Sequence, residues 1–131
     1  MSGETNLDAL LQGMSADLAD GVYVFATVAK GWVPQNVMPR MMFEEAEGMT
    51  LIMLRADAEA HGIAYEFPCR MITLKIHSAL DAVGFLARIT TTLAAEGMGV
   101  NPVSGFYHDH LFVPEGREED AMAALKALSE A

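Results

Sequence analysis

The chain has 131 residues, of which 52% are hydrophobic and 20% are charged, and its formal net charge at pH 7 is −10. This length suits one compact domain or two very small ones, and the composition favours a globular fold over a disordered chain. Eight Lys and Arg residues, scattered through an acidic chain, do not form a patch that neutralises phosphates, so nucleic acid and anionic membrane surfaces are excluded as partners.

Cysteine usage and the first residues bear on the cellular compartment. Cys69 is the only cysteine, so no internal disulfide can form, and the start Met1-Ser2-Gly3-Glu4 lacks the basic and apolar regions of a signal peptide. No apolar run reaches the roughly 18 residues that span a bilayer. We therefore expect a cytoplasmic protein that does not insert into a membrane.

The first half of the chain is predicted to run α-β-β-β-α. Thr5 and Asp8 match a capping box ahead of a short amphipathic helix that ends near Met14. A following apolar, β-branched segment indicates a central strand that is buried on both faces. The later elements are a loop at Lys30–Pro39, a hairpin of Met41–Glu44 and Thr50–Leu54, and a helix at Arg55–His61.

The second half is predicted to run β-α-β-β-α. Residues alternate between two faces along a strand at Met71–Ile76. Ser78 and Asp81 match a second capping box, and the helical stripe after it ends at Gly97. The later elements are hairpin strands at Val100–Phe106 and His110–Val113 and a helix at Gly116–Leu128.

These elements indicate an α+β fold of two ferredoxin-like halves, residues 1–66 and 67–131. Each half lacks one strand of a βαββαβ-type unit. The halves can complete each other by lending strands, which also removes exposed sheet edges. We expect antiparallel sheets with the helices on one face.

The second half carries residues that resemble a known family. Gly84, Leu86 and Ala87-Arg88-Ile89, followed by Gly97-Met98-Gly99-Val100-Asn101, resemble the core of ACT domains, which are small regulatory modules that bind amino acids. The segment Val103–Pro114 is similar to the hairpin of ACT-like proteins found in bacterial stand-alone proteins and eukaryotic arginine sensors. Segments of the first half, which begin at Gly3, Gly21 and Glu47, resemble an uncharacterised bacterial family of stand-alone paired ACT-like domains.

A ligand site is expected where the strand ending at His77 meets the next helix. A glycine in the first turn of a helix lets a ligand approach, and the free amides there suit a carboxylate. The alternatives are that Gly84 only permits close packing, or that the ring of Phe85 fills the cleft. The predicted ligand-binding residues, several of them implied by the resemblance, are His77, Ser78, Val83, Gly84, Phe85, Asn101, Val103, Ser104 and Asp109.

A metal site is the competing interpretation of the second hairpin. His108 and His110 are two residues apart, which places both rings on one face of a strand. A third ligand would have to come from His61 or His77, and no familiar zinc spacing is present. The alternative is a polar hairpin in which Asp109 accepts turn amides.

The leading interpretation is a non-enzymatic regulatory protein that binds a small molecule. The resemblance implies an amino acid as the ligand, and a homodimer is expected, with no cofactor. One alternative is a partner-binding scaffold with an empty ACT-like cleft. A second alternative is a metal-dependent hydrolase that uses His108 and His110.

Overall fold

A computed structural model describes residues 3, 5–32 and 35–131 of the chain. Glu4 of the N-terminal motif, Pro34 of the predicted loop and the first two residues of the chain therefore lie outside the described residues. The elements are α1 (Leu7–Gly13), β1 (Ala16–Leu18), β2 (Tyr23–Val28), β3 (Met41–Glu44), β4 (Met49–Leu54), α2 (Arg55–Ala60), β5 (Glu66–Leu74), α3 (Phe85–Ala95), β6 (Asn101–Ser104), β7 (Asp109–Pro114) and α4 (Glu118–Glu130).

The chain divides into two compact units, and one of them is discontinuous in sequence. The middle unit is Gly21–Cys69, and the terminal unit joins the residues up to Asp20 with Arg70–Ala131. Helix α1 packs with the terminal unit, since Leu10 and Leu11 belong to its core. The linear division into 1–66 and 67–131 stays a prediction about where one ACT-like half ends in sequence.

The middle unit contains strands in the order β3-β4-β2-β5. Strands β3 and β4 pair antiparallel, as do β4 with β2 and β2 with the start of β5. Helix α2 packs against β4 and β2, and Ala58 joins Val24 and Leu51 in the core. The predicted central position of β2 is thus confirmed, but the expected burial on both faces is wrong, because Phe25 is half-buried and Thr27 is exposed on one of them.

The terminal unit contains the end of β5 followed by β7 and β6, with the short strand β1 also paired to β5. Strands β6 and β7 form an antiparallel hairpin. Helices α1, α3 and α4 contact one another and share one apolar core with the sheet. That core includes Ile72 and Leu74 from β5, Ile89 and Leu93 from α3, and Leu111, Val113 and Leu125 from β7 and α4.

The predicted α+β class, with antiparallel pairing and two ACT-like halves, is confirmed. The order β-α-β-β-α of the second half is also confirmed, and the first half has one strand more than expected. That strand, β1, has only three residues, which is too short to show a period. Within the part of the chain that the structure describes, none of the helices has the length and apolar character needed to cross a bilayer.

Both predicted capping boxes are wrong. Helix α1 is capped by Asn6, whose side chain accepts from the backbone N–H of Ala9 at 3.0 Å. Helix α3 begins at Phe85 with Gly84 at its N-cap, and none of the described side chains caps it. Ser78 and Asp81 therefore lie in the loop that precedes α3, because residues 78–84 do not adopt helical structure.

The predicted boundaries of two strands also change. Strand β5 starts at Glu66, five residues before the predicted start at Met71, so Cys69 lies inside a strand and not at its beginning. Strand β7 starts at Asp109, so His108 lies in the preceding turn. The expectation that His108 and His110 share one face of a strand is therefore wrong.

Candidate functional site

A cavity of about 160 Å³ lies between the β6–β7 hairpin and the loop that leads into α3. We call it the hairpin cavity. Its lining residues are Ser78, Ala79, Leu80, Ala82, Phe85, Leu86, Ser104, Gly105 and Asp109.

Asp109 supplies the carboxylate of the hairpin cavity. It is the first residue of β7 and only 7% exposed. Ser104 donates its hydroxyl to Asp109 Oδ1 at 2.6 Å, and Ser78 donates to Oδ2 at 3.4 Å. A buried carboxylate is stabilised by such hydrogen bonds, which partly replace its lost hydration. The predicted role of Asp109 as an acceptor of turn amides is replaced by these two hydroxyl contacts.

The N-terminus of α3 forms another side of the cavity. The backbone N–H of Arg88 donates to Gly84 O at 2.9 Å, which is the first hydrogen bond of the helix. The N–H groups of Phe85, Leu86 and Ala87 therefore precede the helical hydrogen-bond ladder, at the positive end of the helix dipole. This terminus can attract an anionic group.

Gly84 has a conformational role at this terminus. Its φ is +91°, and within the described part of the chain an added Cβ would contact only Leu7 Cδ2, at the ordinary distance of 3.7 Å. The glycine is therefore required for its left-handed backbone and not for close packing. This result removes the packing alternative for Gly84.

Phe85 does not stand in the cleft as a free ring. It is 2% exposed and belongs to the apolar core of the terminal unit. The ring forms part of the cavity wall. Its position therefore does not support the alternative in which Phe85 fills the cleft.

Gly84 and the remaining predicted site residues lie outside the cavity lining. Asn101 is exposed at the start of β6, and its Cα lies about 10 Å along the strand from Ser104 at 3.3 Å per residue. Val103 is half-buried opposite His110. Val83 is 84% exposed. His77 packs against Tyr107, with ring centroids 5.3 Å apart.

The sequence interpretation missed five lining residues, namely Ala79, Leu80, Ala82, Leu86 and Gly105. Four of them are small or aliphatic residues whose types carry no chemical signal. Position 105 favours a glycine for a geometric reason, because an added Cβ would lie 3.1 Å from His108 O. The signal in the sequence that could have indicated this part of the cavity is the hairpin turn between Ser104 and Asp109.

The two histidines of the hairpin have different neighbours. His110 Nδ1 lies 2.9 Å from Thr73 Oγ1, and His108 Nδ1 lies 3.5 Å from Ile76 O. Over residues 3, 5–32 and 35–131, no group of three or more His, Cys, Asp or Glu side chains is arranged to hold a metal ion. The geometry thus gives no support to the hydrolase alternative.

A larger groove of about 430 Å³ lies elsewhere in the terminal unit, between the α1–β1 turn and α4. Its walls include Met14, Met122 and Leu125, with Lys126 and Ser129 at its polar part. None of the predicted site residues lines it. We favour the hairpin cavity as the site because the Asp109 carboxylate and the positive N-terminal end of α3 converge there.

Two models of a known protein family match the chain. One ACT domain model matches residues 2–70, and a second ACT domain model matches residues 66–127. The chain belongs to the ACT domain family. ACT domains are typically regulatory modules that bind small-molecule ligands. The two ACT matches support a regulatory, ligand-binding role for this chain.

Solved structures share the fold of this chain. A Vibrio cholerae protein of unknown function, described as a possible transport protein, is 36% identical, with 94% of this chain and 95% of that chain covered and a TM-score of 0.82. An Agrobacterium tumefaciens protein is 18% identical, with coverages of 88% and 89% and a TM-score of 0.70.

The regulatory subunit of aspartate kinase from Thermus thermophilus is 12% identical, with coverages of 88% and 95% and a TM-score of 0.60. At this identity the likeness shows the fold alone. No curated protein sequence matched the chain.

Proposed function

We propose that this ACT protein is a non-enzymatic regulator that binds a small amino acid in the hairpin cavity. The observation that carries the proposal is the buried carboxylate of Asp109, held by Ser78 and Ser104 on one side of a cavity whose other side is the N-terminus of α3. A carboxylate suits an ammonium group, and a helix N-terminus suits a carboxylate. The two ends of an amino acid carry these two groups.

The size of the cavity supports a small ligand. An apolar cavity of about 150 Å³ holds benzene, which has six heavy atoms, and the hairpin cavity is about 160 Å³. Amino acids such as alanine and serine fall in this size class. A nucleotide or a peptide does not.

Among the described residues that line the cavity, there is no Lys, Arg or His side chain. The carboxylate of the ligand would therefore depend on backbone N–H groups near Phe85 and Leu86. This arrangement makes recognition of the anionic end insensitive to most side-chain substitutions, whereas recognition of the ammonium depends on Asp109.

A thermal-shift screen against the common amino acids tests the proposal. A ligand at a hundred times its Kd adds about 2.7 kcal/mol to the unfolding free energy, which corresponds to a shift of roughly 8 °C for a chain of this length. For an alanine response, propionate and ethylamine are the matched analogues, since each lacks one charged end. Both should give smaller shifts than alanine.

Asp109→Asn should abolish the response, and Asp81→Asn should preserve it because Asp81 is an exposed carboxylate of the neighbouring loop. A flat amino-acid panel with a folded protein would contradict the proposal and favour the partner-binding scaffold. A response that persists in Asp109→Asn would place the ligand elsewhere, with the groove beside α4 as the next location to test.

A further inference from the structure

Gly3 lies against the loop that precedes α3. An added Cβ at Gly3 would stand 2.5 Å from Ala79 N and 2.7 Å from the carbonyl carbon of Ser78. Non-bonded carbon atoms normally stay about 3.5–4.0 Å apart, so a side chain at position 3 would collide with this peptide. The backbone of Gly3 therefore packs directly on the backbone of the loop.

The start of α1 borders the other end of the same loop. An added Cβ at Gly84 would lie 3.7 Å from Leu7 Cδ2, and Leu7 packs against the core of the terminal unit. Asn6 caps the helix by accepting from Ala9 N–H. Gly3 thus lies three residues before the cap of a helix that is fixed to the core, which gives its contact with the loop a firm support.

The peptide that Gly3 contacts lines the hairpin cavity, since Ser78 and Ala79 both belong to its wall. The Ser78 hydroxyl donates to Asp109 Oδ2 at 3.4 Å. This distance exceeds the usual range of about 2.5–3.0 Å for such a bond. A small displacement of the loop away from the β6–β7 hairpin would therefore break the contact.

The hydrogen bonds inside the loop do not fix its distance from the hairpin. Ser78 N–H donates to Ile76 O at 3.1 Å, and Ala82 N–H donates to Ala79 O at 3.0 Å. Both bonds join residues that are two or three positions apart in sequence, so they shape the loop only locally. Contacts from other segments of the chain must hold it in place, and Gly3 supplies one of them.

We propose that Gly3 is a positioning residue for the hairpin cavity, because its contact with the Ser78–Ala79 peptide holds the Ser78 hydroxyl on Asp109. The effect on ligand binding rests on the proposed function, whereas the effect on Asp109 does not. Any side chain at position 3 must either displace the loop or separate Gly3 from it. In both cases the loop loses this support, since backbone atoms cannot rotate away as a flexible side chain does.

Gly21 offers a matched control for the strain of a left-handed residue. Its φ is +91°, close to the +98° of Gly3, and an added Cβ would lie 2.9 Å from Leu54 Cδ2. That neighbour is the end of a flexible side chain, and Gly21 belongs to the middle unit. Gly21→Ala therefore introduces a similar backbone strain without a clash against the backbone of the cavity loop.

Calorimetric titration with alanine, at a temperature where all variants are folded, gives the first readout. Gly3→Ala should weaken alanine binding about tenfold, which is the size of one hydrogen bond to a charged group. Gly21→Ala should lower the melting temperature and change the Kd by less than about twofold. If both variants are less stable and both keep the wild-type Kd, Gly3 has a role in stability alone and the proposal is overturned.

A double-variant cycle tests the route through Ser78. Ser78→Ala removes the hydroxyl that donates to Asp109 and should itself weaken alanine binding. If Gly3 acts by placing this hydroxyl, adding Gly3→Ala to Ser78→Ala should cause little further loss of affinity. Fully additive losses would show that Gly3 acts by another route and would overturn the assignment.

Amide NMR of the ligand-free protein separates this inference from the proposed function. Gly3→Ala should shift the resonances of Ala79 and also of Asp109, whereas Gly21→Ala should leave both unchanged. A change confined to Ala79 would show a local contact that does not reach the carboxylate, and it would overturn the proposal. A wild-type protein that binds no alanine would contradict the ligand and not the positioning of Asp109, which the NMR comparison still decides.

Discussion

Ser104 and Asp109 face each other across the β6–β7 hairpin, and the Ser104 hydroxyl lies 2.6 Å from Asp109 Oδ1. The neighbouring pair, Gly105 and His108, is hydrogen-bonded through its backbone. Ser104 and Asp109 therefore form a non-hydrogen-bonded pair, in which opposing Cα atoms approach to about 4.5 Å and side chains are closest. The hairpin itself thus positions a carboxylate in the cavity before any ligand arrives.

The first prediction concerns the stability that this pair provides. Asp109→Ala removes the buried carboxylate that accepts from the Ser78 and Ser104 hydroxyls and should lower the unfolding free energy by about 1–3 kcal/mol, since hydrogen bonds to a charged group are the stronger ones. Ser104→Ala should cost less, about 1 kcal/mol, because Ser78 still donates to the carboxylate. Urea unfolding of both variants and of the double variant measures the coupling between the two side chains.

Asp81→Ala is the control for this series. Its side chain lies in the same loop region but is exposed, so its effect should stay within about 0.5 kcal/mol. Strictly additive losses in the double variant would show that Ser104 and Asp109 do not stabilise each other.

The second prediction concerns Gly84 at the start of α3. Its φ of +91° is costly for any residue with a Cβ, so Gly84→Ala should destabilise the protein by about 1–2 kcal/mol. Gly99→Ala is the matched control, since an added Cβ there meets no atom of the described residues within 4 Å. Thermal or urea unfolding compares the two, and equal stabilities would contradict the conformational role of Gly84.

This prediction also affects how the ligand site is tested. A bulky residue at Gly84 would change the backbone at the start of α3, next to the cavity-lining Phe85, so lost binding in such a variant would not by itself identify the site. Asp109→Asn is the sharper probe, because it keeps the shape of the side chain and removes its charge.

Much of the fold could be predicted from local sequence patterns. Alternation identified β5, and a glycine near the turn identified the β3–β4 hairpin. Strand β1 was missed because its three residues are defined by distant pairing with Ile72, Thr73 and Leu74, which no local period reveals. The start of α3 was misplaced because Ser78 and Asp81 imitate a cap, whereas Ser78 contacts Asp109.

The candidate site was also predictable only in part. Ser78, Phe85, Ser104 and Asp109 line the hairpin cavity, and their residue types or family motif identified them. Asn101 and Val83 were included by position along the sequence. A shift of three residues along a strand moves a side chain about 10 Å, so motif proximity alone could not separate them from the cavity.

The third prediction concerns the acid sensitivity of the terminal unit. The pKa of Glu118 is held below its usual value of 4.5, first by a backbone hydrogen bond at Glu118 itself and further by the Gly116 N–H and by Arg70. Arg70 Nη1 lies 3.1 Å from Glu118 Oε2. Since the folded pKa is lowered, the carboxylate stabilises the fold above the unfolded pKa, and this stability is lost as the pH falls through the folded pKa.

Glu118→Gln removes this pH dependence. The difference in unfolding free energy between the wild-type protein and Glu118→Gln should be constant near neutral pH and should shrink as the pH falls below about 4.5. Urea unfolding at several pH values measures it. Glu119→Gln is the neighbouring control, and a constant difference at all pH values for Glu118→Gln would contradict the prediction.

The last prediction concerns the thiol of Cys69. Burial raises its pKa to about 12, its residue is 0% exposed, and its Sγ donates to Tyr23 O at 3.3 Å. The thiolate is the reactive form of cysteine, so the native protein should react with a disulfide reagent at pH 8 only as fast as the middle unit opens. In urea above the unfolding midpoint the reaction should be complete within seconds to minutes.

Glu47→Cys provides the internal comparison for Cys69, because residue 47 lies in an exposed turn of the same unit. Its added thiol should react at once under native conditions, whereas the Cys69 thiol should react only when the middle unit opens. The reaction should therefore show two phases of equal amplitude. A single fast phase that consumes both thiols in the native protein would show that Cys69 is accessible.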